Sequence, residues 1–311
     1  MPDTIAVVGT GQIGASWAAY FLAQGFAVSA TDPGPGAEER LRAAVDLAWP
    51  ALEVIGLAPG ASREHLRFTP DAGEAVAGAV FVQESGPERL DVKHAVNAVI
   101  EASVGPDVII ASSTSGLLIS EIRAGTAHPE RFVVGHPYNP PHLIPLVEVV
   151  GGPLTSEDAV ARAMEFYATI GKKPIRLRRE LRGHVANRLQ VAVWREAFAL
   201  VQAGVISVAD LDVAMSEGPG LRWALLGPFL NLHASGGPAG IQHTLEHLGG
   251  PMREWAADLG GFPADDGYIA TMAEGVDEEL DGRDFADLLA RRDEVLLRLL
   301  ADKRATGLTA P

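Results

Sequence analysis

Apolar residues along this chain fall into two rhythms. In its first part, short unbroken apolar runs alternate with longer stretches in which apolar residues recur every three to four positions. The runs include Ile5-Ala6-Val7-Val8, Phe26-Ala27-Val28, Ala79-Val80-Phe81-Val82, Val108-Ile109-Ile110-Ala111, Phe132-Val133-Val134 and Leu146-Val147-Glu148-Val149-Val150. Runs this short and this rich in β-branched residues suit strands covered on both faces, as in a parallel sheet. The stretches between them predict helices over residues 15–24, 36–58, 71–78, 91–104, 119–124 and 155–171, with a break at Pro50. Residues 66–69 and 173–177 predict two further short strands. After Glu180 the strand signals fade, and helical patterns span residues 185–202, 208–215 and 285–303. Glycine and proline clusters at 218–220, 236–238, 249–251 and 260–261 predict loops. The pattern predicts an α/β fold, a doubly wound and mostly parallel sheet over residues 1–183, followed by an all-α domain over 184–311.

The first strand–helix junction carries the most specific signal. Gly9-Thr10-Gly11-Gln12-Ile13-Gly14 follows the first run at once and opens the first helix. Gly9 allows the tight turn, Gly11 lets backbone approach a pyrophosphate, and Gly14 lets helix pack on strand. The helix start offers free N–H groups and partial positive charge to the anion. Asp32 ends the second strand. An acid there accepts from both ribose hydroxyls and repels a 2′-phosphate, which predicts NAD over NADP. A glycine triplet alone says little. Strand, glycines, helix, strand and acid in this order make a Rossmann-type dinucleotide site.

A second informative stretch is Gly135-His136-Pro137-Tyr138-Asn139-Pro140-Pro141. A strand run delivers His136 to its carboxyl end, and the prolines take the chain out of regular structure. The next apolar run carries a lone acid, Glu148. Burying a carboxylate there is costly unless it is paired, and His136 is the nearest attractive partner. Such a pair fixes the imidazole tautomer and leaves the other nitrogen free to accept a proton. The alternative is a satisfied core histidine beside a half-exposed strand glutamate.

Other residues read less sharply. Ser112-Ser113-Thr114-Ser115-Gly116 puts four hydroxyls at a strand end, where they position a polar ligand or cap the next helix. Glu88 and Lys93 read as a solvated pair at a helix start, and Asn187 as a cap or a solvent-facing residue. Arg222 lies among Leu221, Trp223 and Ala224, so its guanidinium predicts an anionic partner, a substrate carboxylate or an internal acid. His233, His243 and His247 show no His-Glu-x-x-His arrangement, and no metal site is expected.

Composition narrows the classes. A length of 311 residues suits two domains, and 47% hydrophobic residues suit a sizeable core. A net charge of −15 argues against a general nucleic-acid binder, which needs a basic face. With no cysteine, disulfides and thiolate metal sites are excluded. The first residues run into a strand pattern without a leader-like segment, and no apolar run reaches the length of a membrane span. The expectation is a cytoplasmic protein with neither nucleic acid nor membrane as partner.

These motifs together resemble the 3-hydroxyacyl-CoA dehydrogenase superfamily over essentially the whole chain, and within it the lambda-crystallin/L-gulonate 3-dehydrogenase and carnitine dehydrogenase branches. The resemblance rests on the glycine turn, Gln83-Glu84-Ser85-Gly86-Pro87-Glu88-Arg89-Leu90, Ser112 to Leu117, His136 to Pro140, and Ala186-Asn187-Arg188-Leu189-Gln190. Residues 210–218 and 220–228 look like the gulonate branch in particular, while carnitine dehydrogenases tend to have Asp at the position of Asn187. The resemblance implies that Gln12, Ile13, Asp32, Glu88 and Lys93 contact NAD, with Asn139 near the nicotinamide end. It implies Ser115, His136, Glu148 and Asn187 as the catalytic set. Residues 33–65 lack the long lysine-rich arm that holds CoA in the acyl-CoA enzymes, and Arg222 replaces a small apolar loop. Both departures favour a small hydroxy acid with a free carboxylate. The implied reaction is NAD-dependent oxidation of a small L-3-hydroxy acid to the 3-keto acid, in a homodimer formed through the helical domain. Two alternatives stand beside it: a short-chain L-3-hydroxyacyl-CoA dehydrogenase, and a non-catalytic NAD-binding structural protein.

Overall fold

A computed structural model describes residues 2–308. The chain divides into two compact units, Met1–Arg188 and Leu189–Pro311. In the first, β1 (Thr4–Val8), β2 (Ala27–Thr31), β3 (Leu66–Phe68), β4 (Phe81–Glu84), β5 (Ile109–Ser112), β6 (Phe132–Pro137), β7 (Leu146–Gly151) and β8 (Lys173–Arg176) form one sheet. Their order is β3-β2-β1-β4-β5-β6-β7-β8. β1 to β6 run parallel, β6 and β7 pair antiparallel, and β7 pairs parallel with β8. The winding reverses between β1 and β4. That switch point opens a crevice at the strands' carboxyl ends, where ligands of open α/β sheets bind.

Six helices cover the sheet: α1 (Gln12–Ala23), α2 (Ala37–Ile55), α3 (Ala72–Val76), α4 (Leu90–Ser103), α5 (Ile119–Ile122) and α6 (Glu157–Thr169). Side chains alternate along β1, so Ile5 and Val7 join a core with Trp17, Phe21, Phe81 and Tyr167. Ala6 and Val8 join the opposite core with Ile100, Ile110 and Phe132. An unbroken apolar run is what two covered faces require.

Some local punctuation is overridden. Pro50 lies inside α2, and the helix runs through it. Leu41, Val45, Ala48, Trp49 and Leu52 bury one face on both sides of the proline. That burial outweighs the missing hydrogen bond. Pro137 stays in the sheet opposite Val147, so regular structure ends one residue later than its ring suggests.

In the second unit α7 (Ala186–Gln202), which starts in the first unit, is followed by α8 (Val208–Ser216), α9 (Pro219–Ser235), α10 (Gly240–Asp258), α11 (Gly267–Leu280) and α12 (Phe285–Ala305). Two predicted loops are helical. Pro219 and Gly220 open α9 behind Gly218, because proline suits the first helical turn. Gly249, Gly250 and Pro251 lie within α10, which packs along α9. α9 bends at Gly227, whose φ of +73° precedes Pro228. Trp223, Phe229, Trp255 and Phe262 are exposed. Among the described residues no helix is long and apolar enough to cross a membrane.

Candidate active site

β1 ends at Val8 and the chain turns at once. Gly9 sits at φ +89°, and a Cβ there would meet the Ser85 and Gly86 backbone at 2.7 to 2.8 Å. A Cβ on Gly14 would meet the Gly9 carbonyl oxygen at 1.8 Å. Both glycines are therefore dictated by packing within the protein. Gly11 differs, since a Cβ there meets nothing within 4 Å. Its smallness serves close approach from outside. Gly11 is also the N-cap of α1, and no side chain caps that helix start. Gln12 is exposed and Ile13 half-buried in its first turn. Asp32 Oδ2 accepts from the Thr10 N–H at 2.8 Å and Oδ1 from the Gly34 N–H at 2.8 Å. An uncapped helix start, an open glycine and a held acid fit NAD.

β4 ends in a buried ion pair. Lys93 Nζ donates to both oxygens of Glu84, at 2.9 and 2.8 Å, and to the Gly86 carbonyl at 3.3 Å. Glu84 also accepts from Ser112 Oγ and the Gly86 N–H, each at 2.6 Å. The expected solvated pair of Glu88 and Lys93 is thus not formed. Lys93 is 1% exposed, and an ammonium that deep needs a carboxylate at the same depth. Glu88 is exposed and turns to the hydroxyl loop. Its Oε1 accepts from Thr114 Oγ1 at 2.6 Å and from the N–H groups of Ser115 and Gly116 at 3.0 and 2.9 Å. Ser112, Ser113 and Thr114 commit their hydroxyls to Glu84, to Gln83 with Ser85, and to Glu88. Ser115 is the exposed member of the four.

His136 and Glu148 face each other across the β6–β7 ladder. Directly opposed residues of an antiparallel pair share one face, so their side chains meet. His136 Nδ1 lies 2.9 Å from Glu148 Oε2, and the two residues are 4% and 0% exposed. The other carboxylate oxygen accepts from the Val185 and Ala186 N–H groups at 2.9 and 3.1 Å. Burial works to raise the Glu148 carboxyl, but the bond to His136 and the two N–H donors hold it below the ordinary carboxylate range. An ionised Glu148 only accepts, so His136 Nδ1 carries the proton between them.

The remaining residues close around this pair. Asn187 Nδ2 donates to the Ser115 carbonyl at 3.0 Å, and its Oδ1 accepts from the Tyr138 hydroxyl at 3.0 Å. Burial, and then the Glu148 charge, push the Tyr138 phenol above its usual value. Ser115, His136, Glu148 and Asn187 are therefore linked in one cluster. Asn139 is exposed on the turn after β6. Arg222 is exposed on α9 of the second unit rather than enclosed by its apolar sequence neighbours. His243 and His247 stack with ring centroids 6.1 Å apart. Among the described residues no group of three or more metal-binding side chains occurs.

Two buried groups of this region were not singled out by sequence reasoning. His184 is 1% exposed and its ring centroid lies 5.1 Å from that of His136. Its only sequence signal was the place just before Asn187. Lys172 lies 3.6 Å over the Tyr20 ring and donates to the Pro141 and Ile144 carbonyls behind the turn that carries Asn139. Burial pushes its ammonium down to about 7.

Comparison with known proteins shows the family. Residues 4–181 match the 3-hydroxyacyl-CoA dehydrogenase NAD binding domain, and residues 183–259 match the C-terminal domain of the same family. An L-carnitine dehydrogenase of Streptomyces coelicolor is 48% identical over 307 residues, covering 99% of this chain and 96% of that protein. An L-carnitine dehydrogenase of Pseudomonas aeruginosa is 46% identical over 303 residues, covering 97% and 94%. Among solved structures, 5-formyl-3-hydroxy-2-methylpyridine 4-carboxylic acid 5-dehydrogenase, an NAD+ dependent dismutase, aligns with a TM-score of 0.83 at 33% identity, covering 99% of both chains.

Proposed function

This chain belongs to the 3-hydroxyacyl-CoA dehydrogenase family, and within it we propose a dehydrogenase that oxidises the 3-hydroxyl of a small L-3-hydroxy acid, with L-carnitine the first substrate to test. It is an NAD-dependent oxidoreductase. The observation that carries the finer reading is the buried 2.9 Å bond between His136 and Glu148 at the sheet's carboxyl edge.

When bound, NAD supplies the hydride acceptor. The start of α1 at Gln12 and Ile13 would hold the pyrophosphate, and Asp32 the ribose hydroxyls. Glu88 would contact NAD, with Asn139 near the nicotinamide end; Lys93, expected to contact NAD as well, is buried against Glu84 and would act only through the Gly86 turn that it supports. Glu148 occupies Nδ1 of His136, so Nε2 takes the substrate's hydroxyl proton as hydride leaves the same carbon. Glu148 then stabilises the imidazolium. The Ser115 hydroxyl and the Asn187 amide hold the reacting oxygen.

Residues 33–65 contain no lysine, which speaks for a free acid rather than a CoA thioester, and Arg222 is the proposed carboxylate partner. Carnitine is such an acid, and relatives bear its name. The proposed domain division at 183/184 falls close to the family matches, which end at 181 and begin at 183, whereas the compact units divide between Arg188 and Leu189. Exposed Trp223, Phe229 and Trp255 support a homodimer through the helical unit.

His136→Ala tests the reading. Turnover of carnitine should fall roughly 10²- to 10⁴-fold, the worth of a positioned base, with NAD affinity by fluorescence titration unchanged. A variant with wild-type kcat overturns the assignment. Across carnitine, gulonate, 3-hydroxybutyrate and 3-hydroxybutyryl-CoA, best turnover of the thioester would replace the free acid with an acyl-CoA.

A further inference from the structure

Three consecutive carbonyls of the hydroxyl loop take their donors from one short segment. Thr114 accepts from His184 Nε2 at 3.0 Å, Ser115 from Asn187 Nδ2 at 3.0 Å, and Gly116 from the Gly183 N–H at 3.3 Å. Between those donors, Val185 and Ala186 give their N–H groups to Glu148. His184 stands in the middle of this lacing. Its φ of +49° lies in the left-handed region, which a residue with a Cβ rarely holds. A carbonyl can only accept, so the His184 proton sits on Nε2 and Nδ1 is left as an acceptor. That Nδ1 is buried and has no hydrogen-bond partner among the described residues. The ring is tilted 45° against the His136 ring, with centroids 5.1 Å apart. Phenylalanine would fill a similar space without a stranded nitrogen. A strained backbone and a buried unpaired acceptor beside the base are costs that packing alone does not explain.

We infer that His184 is a positioning residue for the reaction: its imidazole ties the loop carrying Ser115 to the segment that clamps Glu148, and forms the polar wall against which His136 takes up its proton. The inference rests on His136 being the base. Burial holds His184 below the ordinary histidine range, the Thr114 carbonyl opposes that shift, and a charged His136 lowers it further. The titratable groups facing it are His136, Glu148 and Glu88. His184 therefore stays neutral beside His136.

The test uses the full chain with NAD and the substrate that it turns over. His184→Phe keeps the ring volume but removes the Thr114 bond and the polar wall. Its kcat should fall roughly tenfold to hundredfold through misplacement of the reacting groups, with KM for NAD unchanged. The acid limb of its kcat/KM profile should move to lower pH, because an apolar neighbour makes a charged His136 costlier. His184→Asn, which tolerates left-handed backbone and can donate to Thr114, should recover most of kcat. An unmoved acid limb in His184→Phe overturns the inference whether or not kcat falls, since lost structure alone leaves the limb in place. Should His184→Phe not fold, imidazole ¹⁵N shifts of the wild-type protein decide. They must show His184 neutral and protonated on Nε2 while His136 becomes charged, and a His184 that charges first overturns the inference. Turnover retained by His136→Ala sinks the underlying reading instead. A dead His136→Ala beside an unaltered His184→Phe sinks only this one.

Discussion

Two buried acid–base pairs stand at the carboxyl edge of the same sheet, on either side of β5. At the end of β4, Glu84 meets Lys93, and between β6 and β7, Glu148 meets His136. Both carboxylates are at most 1% exposed, and both divide their oxygens among a charged or chargeable partner and backbone N–H groups. The difference lies in what remains over. Lys93 gives its ammonium to Glu84 and Gly86, and Ser112 fills the last acceptor position of the acid. That pair is closed and holds a turn in shape. His136 gives one nitrogen to its acid and has a second that can bind a proton. Burial of a pair is thus no mark of chemistry by itself. Spare valence on one partner is.

Replacing each acid by its amide is the sharpest way to break this contrast. Glu148→Gln should cost roughly 10²- to 10⁴-fold in kcat, because the imidazole loses both its fixed tautomer and its counter-charge. Urea unfolding should change much less than turnover. Glu84→Gln should do the reverse. It strands a buried ammonium, which lowers stability by about 3–5 kcal/mol, read as a fall in the urea midpoint, while kcat of the folded fraction falls far less than in Glu148→Gln. If Glu84→Gln lost turnover at an unchanged midpoint, the two pairs would not differ in kind. Pairing Glu84→Leu with Lys93→Met sharpens the point, since removing both charges should bring the midpoint back towards wild type.

A further contrast concerns pH. Lys172 is pushed down to about 7 from an ordinary value of 10.5. Between those values the unfolded chain binds a proton that the native protein releases, so this group's contribution to stability rises as pH climbs through the window. Lys172→Met should flatten the rise in urea midpoint between neutral and alkaline pH. A slope equal to wild type would show that Lys172 keeps its charge when buried. Glu148 works at the other end of the scale. Its folded value is lowered, so its stabilisation is present above the ordinary carboxylate value and is lost as pH falls through the folded one.

Legibility in the sequence followed how local each cause is. The strands could be read because two covered faces demand unbroken apolar runs, as in Ile5 to Val8. The glycine turn and Asp32 could be read because Gly9 answers to its own left-handed turn, Gly14 to the Gly9 carbonyl and Gly11 to a ligand, although the Ser85 and Gly86 backbone that also crowds Gly9 is remote in sequence. Glu148 stood out as a carboxylate in an apolar run. Lys93 has three acids near it in sequence, Glu84, Glu88 and Asp91, and only the fold chooses among them. Pro50 and Gly249 to Pro251 are strong local stops that longer helices absorb. His184 sits where one periodicity ends and another begins, so no pattern marks it. Residues 210–228 leaned towards gulonate, whereas relatives bear the name of carnitine. Choice among small hydroxy acids rests on a few side chains that fold and family leave open.

The clamp on Glu148 also bears on how the chain is made. The two N–H groups that complete this acid lie 37 and 38 residues further along. A nascent chain that has emerged only as far as β7 therefore offers the acid the imidazole alone of these three donors. Until Ala186 clears the exit tunnel, that corner of the nascent sheet has to stay wet.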